Sequence, residues 1–308
     1  MVRPRALRAG DRVAIVSPAS PFDRAEFDAG VAELRRLGLD PVWDDRVFAR
    51  EPMVSGPPEL RARAFLDALR DPGVAAIVAV RGGYGSVEIL PQLDARELRD
   101  ARKIICGYSD ITSLLVYAVC HAGLVAFHGP MLERRLSRGA LGYDAASFSA
   151  ALFRPVAMGE LRPDGISVMK TGTAHGMLVG GTLTQLAAGL GTPFGIRLDR
   201  PSILFIEDVG ERPYKLRRML VQMQLAGVFD RVTGIVLGTM TGCDESPHGA
   251  LSACDAIDAF FAGFDGPILS GFPSGHGDAP LWTLPFGVQA SISTDDGARL
   301  TIEEPAVD

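Results

Sequence analysis

Short apolar runs alternate with amphipathic stretches through the first half of the chain. "RVAIVS" (12–17) predicts a buried strand and "DRAEFDAGVAELRRLG" (23–38) a helix. Asp23 can cap that helix, Glu26 follows three residues on, and Gly38 can end it. "DPVWD" reads as a short strand, and "PPELRARAFLDALRD" (57–71) as a helix with proline near its start. "VAAIVAV" (74–80) is too uniformly apolar for a one-sided strand and suits a parallel sheet buried on both faces. "KIIC" (103–106) and "LVAFH" (124–128) follow the same rule, with a helix at 110–122 between them. This alternation predicts a doubly wound α/β sheet.

The pattern changes near residue 160. "PVAMGELRPDG" (155–165) carries Pro, Gly and charge without periodicity and reads as a linker between residues 1–155 and 166–308. Beyond it, "ISVMKTGTAHGMLVGG" looks extended with glycine breaks. "SILFIED" (202–208) and "VTGIVLG" (232–238) predict strands flanking a helix over 213–227, and "DAIDAFFAGF" predicts another helix. "VQASIST" and "ARLTIEE" alternate with period two, as in a half-exposed antiparallel hairpin. The second half is therefore expected to mix helices with antiparallel strands.

Composition narrows the function. A chain of 308 residues suggests roughly two domains. The net charge of −6 is well mixed in sign, and no basic block points to a nucleic-acid partner. Cys106, Cys120, Cys243 and Cys254 form no C-x-x-C pair and have no histidine at ligand spacing. Neither a disulfide framework nor a metal or other cofactor is expected, and reduced thiols point to the cytoplasm. "VAIVS" is too short for a secretory signal core, and no run approaches the roughly 20 apolar residues of a membrane span.

In open α/β sheets the working surface lies at the carboxyl ends of the strands. "RGGYG" (81–85), "GYSD" (107–110), "GPM" (129–131), Glu207 with Asp208, and "GHGD" (275–278) all fall there. Ser109 follows a strand and Gly107, as a nucleophile on a sharp turn does, but Ile111 stands where the usual G-x-S-x-G has its second glycine. Taken alone, the stretch favours an ordinary helix cap by Ser109 or Asp110. A helix start at Asp110 would also leave its amide free to bind an oxyanion, and the glycines of "RGGYG" let backbone approach a ligand or simply make a tight turn. Among the histidines, His121 reads as structural, His128 as able to line the site, and His175 and His248 as loop residues. His276 lies between glycines in a loop long enough to reach outward. Of Glu207 and Asp208 only one can face the chemistry, because adjacent strand residues point opposite ways.

The ordered set "AIVSPAS", "RGGYG", "GYSDIT", "FHGPM", "GTLTQLAAGLGTPF", "LFIEDVGERPYKLRRML", "IVLG" and "GHG…LPFG" resembles the LD-carboxypeptidases of the serine-peptidase type. That family includes muramoyl-tetrapeptide carboxypeptidases and related microcin immunity peptidases. The resemblance implies a Ser109–Glu207–His276 triad, with oxyanion donors on Asp110 and on the glycine turn, Gly83 with Gly82. It implies an N-terminal flavodoxin-like sheet, a C-terminal swivelling β/β/α domain, a homodimer, and a murein stem peptide as substrate. No cofactor is implied. Thr182 departs from the asparagine that the family often carries. Arg81, Arg134 and Arg135 are candidates to hold a terminal carboxylate. Three alternatives stand beside this: the same triad acting on a microcin-like peptidyl nucleotide, a non-enzymatic cleft-binding module, and a glutamine-amidotransferase-like enzyme. The last normally needs Cys where this chain has Ser109.

Overall fold

The computed structural model describes residues 1–244 and 251–308, so His248 lies outside the described residues. In chain order the first half contains β1 (Arg12–Val16), α1 (Arg24–Arg36), β2 (Asp40–Val42), α2 (Pro58–Arg70), β3 (Val74–Ala79), α3 (Ala95–Ala101), β4 (Ile104–Gly107), α4 (Thr112–Val116), β5 (Ala126–His128) and α5 (Ala145–Phe153). The second half contains β6 (Gly159–Leu161), β7 (Ser167–Lys170), β8 (Thr173–Thr182), α6 (Leu183–Ala188), β9 (Ser202–Val209), α7 (Pro213–Leu225), β10 (Val232–Thr241), α8 (Ala253–Phe261), β11 (Ile268–Ser270), β12 (Leu284–Phe286), β13 (Gln289–Ser293) and β14 (Arg299–Ile302).

The first sheet has the order β2-β1-β3-β4-β5, with every pair parallel. This is the flavodoxin-like doubly wound order, whose switch point lies between β1 and β3. The strands are apolar because helices cover both faces. On α1, Phe27, Val31 and Leu34 recur at helical spacing and are buried. Each such side chain contributes about 1.5–3 kcal/mol of apolar burial. Asp23 caps α1 by accepting from the Glu26 amide at 3.0 Å. Glu26 does not complete the box, because its carboxylate accepts from the Arg134 amide and from Ser137 instead. One strand from the end of the chain crosses back: β12 pairs antiparallel with β5, aligning Leu284 with His128.

The second sheet has the order β6-β14-β13-β8-β9-β10-β11-β7. Its centre, β8-β9-β10-β11, is parallel, and antiparallel pairing is confined to the flanks. The expectation of antiparallel strands in this half thus holds for the β13–β14 hairpin and fails at the centre. The uniform runs "SILFIED" and "VTGIVLG" already carried the pattern of parallel strands buried on both faces. The stretch 155–165 also differs from a plain linker, because it contains β6 paired with β14. A three-residue edge strand is too short to show alternation.

The expected helix at 110–122 is broken into three pieces. A 3₁₀ turn spans Ser109–Ile111, α4 follows, and a π turn over Tyr117–Ala122 ends at Gly123. This irregular start after β4 sets the position of Ser109.

Candidate active site

The chain leaves β4 through Gly107 and an extended Tyr108, then turns at Ser109, whose φ is 62°. Left-handed backbone is uncommon for a residue with a side chain and is often found where function demands it. Ile111 folds back against Gly107: a Cβ on that glycine would lie 2.8 Å from Ile111 Cγ2. The residue that breaks the usual motif therefore fills the space that the first glycine leaves. No side chain caps this helix start, so Ser109 is not an N-cap. Its hydroxyl points out of the turn instead and meets His276.

Ser109 Oγ lies 2.9 Å from His276 Nε2, and His276 Nδ1 lies 2.7 Å from Glu207 Oε2. The His276 backbone amide also donates to Glu207 Oε2, at 3.2 Å. Thr182 Oγ1 donates to the other carboxylate oxygen, Oε1. With Oε2 accepting from Nδ1–H, Nε2 is left as the acceptor for the serine proton. The three side chains come from the β4 turn, the end of β9 and the loop after β11. Gly275 permits the approach, since a Cβ there would sit 2.3 Å from Glu207 Oε2.

Glu207 is fully buried. Burial raises its pKa, but the hydrogen bond and charge of His276 outweigh that and hold the carboxyl below its ordinary value. Asp208 faces the other way, as strand alternation requires. It accepts from the amide of Thr184 at 2.9 Å and from its hydroxyl at 2.8 Å, at the start of α6. Burial pushes its pKa up to about 6.

The glycine turn lies over the serine. A Cβ on Gly82 would lie 2.7 Å from Ser109 Cβ, 2.9 Å from its Oγ and 3.2 Å from the Asp110 amide nitrogen. Gly83, at φ 96°, packs against Ser20. Asp110 lies in the first turn of its helix, where amides have no intrahelical acceptor. Its carboxylate accepts from the Ser86 amide at 2.7 Å, and Ser86 Oγ donates to the Asp110 carbonyl at 2.6 Å. These paired bonds lock the glycine turn to the serine turn. Burial raises the Asp110 pKa.

Two residues that support the site had no signal in the sequence. Arg61, on the amphipathic α2, is buried and donates to the carbonyls of Gly56, Pro18 and Gly85 and to Glu88. It ties together the loops that follow β1 and β3. Thr112 Oγ1 accepts from the Thr182 amide at 3.1 Å, joining the serine helix to the strand end that holds Glu207.

Among the described residues, the other histidines do not meet the serine. His121 is bonded to the Gly195 carbonyl, and His175 is exposed beside Glu303. His128 is fully buried among Tyr108, Phe205 and Phe286, with no partner on either nitrogen among the described residues. It packs behind the site rather than lining it, and burial pushes its pKa down to about 4.

A cleft of about 700 Å³ opens beside the glycine turn, lined by Ser20, Arg50, Met53, Arg81 and Tyr84 among others. It sits at the switch point between β1 and β3. A smaller cavity of about 220 Å³ lies beneath β1 and α2; neither hollow is lined by Ser109, Glu207 or His276, and the cleft is the one that borders the glycine turn over Ser109. Arg81 is paired with Glu133 at 3.0 Å and donates to the Pro21 carbonyl. Arg134 is exposed, and Arg135 is spent entirely on backbone carbonyls and Tyr108.

Comparison with known proteins identifies the family. Residues 13–129 match the model of the LD-carboxypeptidase N-terminal domain, and residues 175–292 match that of its C-terminal domain. The chain belongs to the LD-carboxypeptidase family. The murein tetrapeptide carboxypeptidase of Pseudomonas aeruginosa is 32% identical, over 94% of each chain. The crystal structure of muramoyltetrapeptide carboxypeptidase from Oxalobacter formigenes superposes with a TM-score of 0.82 at 26% identity, covering 96% of this chain and 99% of that one. The microcin C7 self-immunity protein MccF in complex with aspartyl sulfamoyl adenosine gives 0.87 at 26% identity, covering 100% of both chains. The two-domain mixed α/β architecture is thus the one these family members share.

Proposed function

We propose that the protein is a serine LD-carboxypeptidase that releases the terminal D-alanine of a murein tetrapeptide. The continuous hydrogen-bond chain from Ser109 Oγ through His276 to Glu207 carries this reading. His276 Nε2 takes the Ser109 proton as Oγ attacks the scissile carbonyl carbon. The amides of Asp110 and Gly83 receive the oxyanion, with Gly82 keeping the space above the serine open. His276 then hands its proton to the departing amine of the D-amino acid. Water, deprotonated by His276, attacks the acyl-ester and frees Ser109. Glu207 keeps Nδ1 protonated and stabilises the imidazolium. Arg50 on the cleft wall offers a positive charge suited to a free carboxylate of the peptide, whereas Arg81 is already paired with Glu133.

A second reading keeps the machinery and changes the substrate to a peptidyl nucleotide. Tyr84 favours it: the ring is about half exposed in the cleft and offers a face on which a base can stack. The free state of the four cysteines supports action in the cytoplasm, and the family resemblance supports a homodimer, which sedimentation equilibrium tests. The decisive assay offers murein tetrapeptide and an aminoacyl sulfamoyl adenosine side by side to wild type and Ser109→Ala. Release of D-alanine by wild type alone supports the first reading. Cleavage of the nucleoside alone replaces it with the second, and an active Ser109→Ala sinks both.

A further inference from the structure

We propose that Arg135 is the positioning residue for His276, clamping the histidine loop onto the half of the molecule that carries Ser109. This rests on the Ser109–His276–Glu207 reading. Arg135 follows β5 in the first half, whereas the loop "PSGHGDAP" belongs to the second. Arg135 is almost wholly buried, at 4% exposure. A buried cation is costly unless its donors are matched.

Here they are matched by neutral oxygens. Nη2 donates to the carbonyls of Gly275 at 2.6 Å and Gly277 at 2.8 Å, the two residues that flank His276. Nη1 donates to Ala279 O at 3.2 Å and Gly142 O at 3.3 Å. Nε donates to Tyr108 Oη at 3.3 Å, and the guanidinium stands 5.6 Å from the Tyr108 ring centroid. Tyr108 precedes Ser109 in the chain, and its ring centroid lies 5.1 Å from that of His276. One planar fork therefore grips both sides of the Ser109–His276 bond.

The loop has little stiffness of its own, since glycines flank the histidine. Its base is tied separately, by Ser274 Oγ to Trp282 O and by Trp282 N to Pro273 O. The tip, where the imidazole sits, relies on the guanidinium and on Glu207. With its donors so committed, Arg135 does not bind a substrate carboxylate. Its contribution is to geometry, and a misplacement of about 1 Å is enough to cost about 100-fold in rate.

The test uses the full-length chain with Arg135→Met and Arg135→Lys. Labelling of Ser109 by a fluorophosphonate is followed beside kcat and KM for D-alanine release, and thermal unfolding checks the fold. Labelling needs only an aligned serine and histidine, so it is independent of which substrate is native. The Met variant is expected to label about 100-fold more slowly. Lysine keeps the charge but lacks the fork, so Arg135→Lys is expected to recover about tenfold of that loss. The losses should appear in kcat, with KM moving less than about threefold. If Arg135→Met fails to fold, the lysine variant decides. A folded Arg135→Lys that labels at the wild-type rate overturns the proposal, as does a loss confined to KM. Wild type that does not label at Ser109 sinks the triad reading and this inference together, whereas labelled wild type with undiminished variants sinks only the role of Arg135.

Discussion

Ser109 holds its hydroxyl 2.9 Å from His276 Nε2 while its own backbone is left-handed, at φ 62°. The conformation aims Oγ at the imidazole and costs about 1 kcal/mol relative to an unstrained residue. Glycine carries no such cost. Ser109→Gly and Ser109→Ala should both abolish turnover, by four orders of magnitude or more on the scale of other serine enzymes. They should differ in stability: the glycine variant is expected to unfold at higher denaturant, by about 1 kcal/mol over the alanine variant. Equal midpoints would show that the turn is relaxed, and strain would drop out of the account.

Glu207 presents one oxygen to His276 Nδ1 and the other to Thr182 Oγ1. A glutamine at that position keeps the shape but offers an amide donor. His276 would then turn to the tautomer with its proton on Nε2, where it cannot accept from Ser109. Glu207→Gln is expected to lower kcat by about 10⁴ with little change in KM. Removing only the threonine hydroxyl, in Thr182→Val, should cost about tenfold in kcat, equivalent to about 1.4 kcal/mol. Steady-state kinetics on the tetrapeptide check both, and a Glu207→Gln loss below tenfold would remove the acid from the mechanism.

Gly82 faces Ser109, and the first atoms a methyl group there would strike are Ser109 Cβ, Ser109 Oγ and the Asp110 amide. Gly82→Ala should therefore block the proposed oxyanion position while leaving the rest of the fold intact. The expected outcome is a fall in kcat of about 100-fold or more, on the scale of losing one oxyanion donor, with no comparable rise in KM. Fluorophosphonate labelling of Ser109 should fall with it. Wild-type labelling in the alanine variant would place the oxyanion elsewhere.

Much of the first half was legible because buried parallel strands and amphipathic helices leave strong periodic signals. The capping of α1 by Asp23 and the strands before "RGGYG" and "GYSD" followed from those signals. The supporting shell was not legible. Arg61 and Arg135 look like ordinary solvated arginines in a sequence, because burial of a guanidinium depends on carbonyls from distant loops. The choice between Glu207 and Asp208 was open to spacing alone, since strand alternation says only that the two differ. Only the family resemblance chose Glu207, and in the structure that is the side chain facing His276. Residues near β12 gave no hint of crossing to the first sheet, because a three-residue strand pairs through backbone and carries little pattern.

His128 sits in the wall behind Tyr108 with neither ring nitrogen bonded among the described residues. Burial pushes its pKa from the ordinary 6.5 to about 4; the charge of Glu207 raises it, and those of His276 and Arg135 lower it further. Between those values the unfolded chain binds a proton that the folded chain refuses. The contribution to stability is therefore fully present above pH 6.5 and is lost as pH falls towards 4. At about 1.4 kcal/mol per unit it amounts to at most about 3.5 kcal/mol. Asp208 works in the opposite direction. Its raised pKa, about 6, means that the folded state holds a proton the unfolded state has released, so its penalty eases as pH falls. The wild-type profile thus mixes two opposed slopes, and only a difference profile isolates one. His128→Phe suits the aromatic surroundings of Tyr108, Phe205 and Phe286 and cannot titrate. Comparing urea unfolding at pH 7 and pH 4.5 within each protein cancels any packing change. Wild type is expected to lose about 2–3 kcal/mol more than His128→Phe across that interval. Parallel profiles would mean that His128 is hydrated or already charged, and its burial as a neutral ring would have to be abandoned.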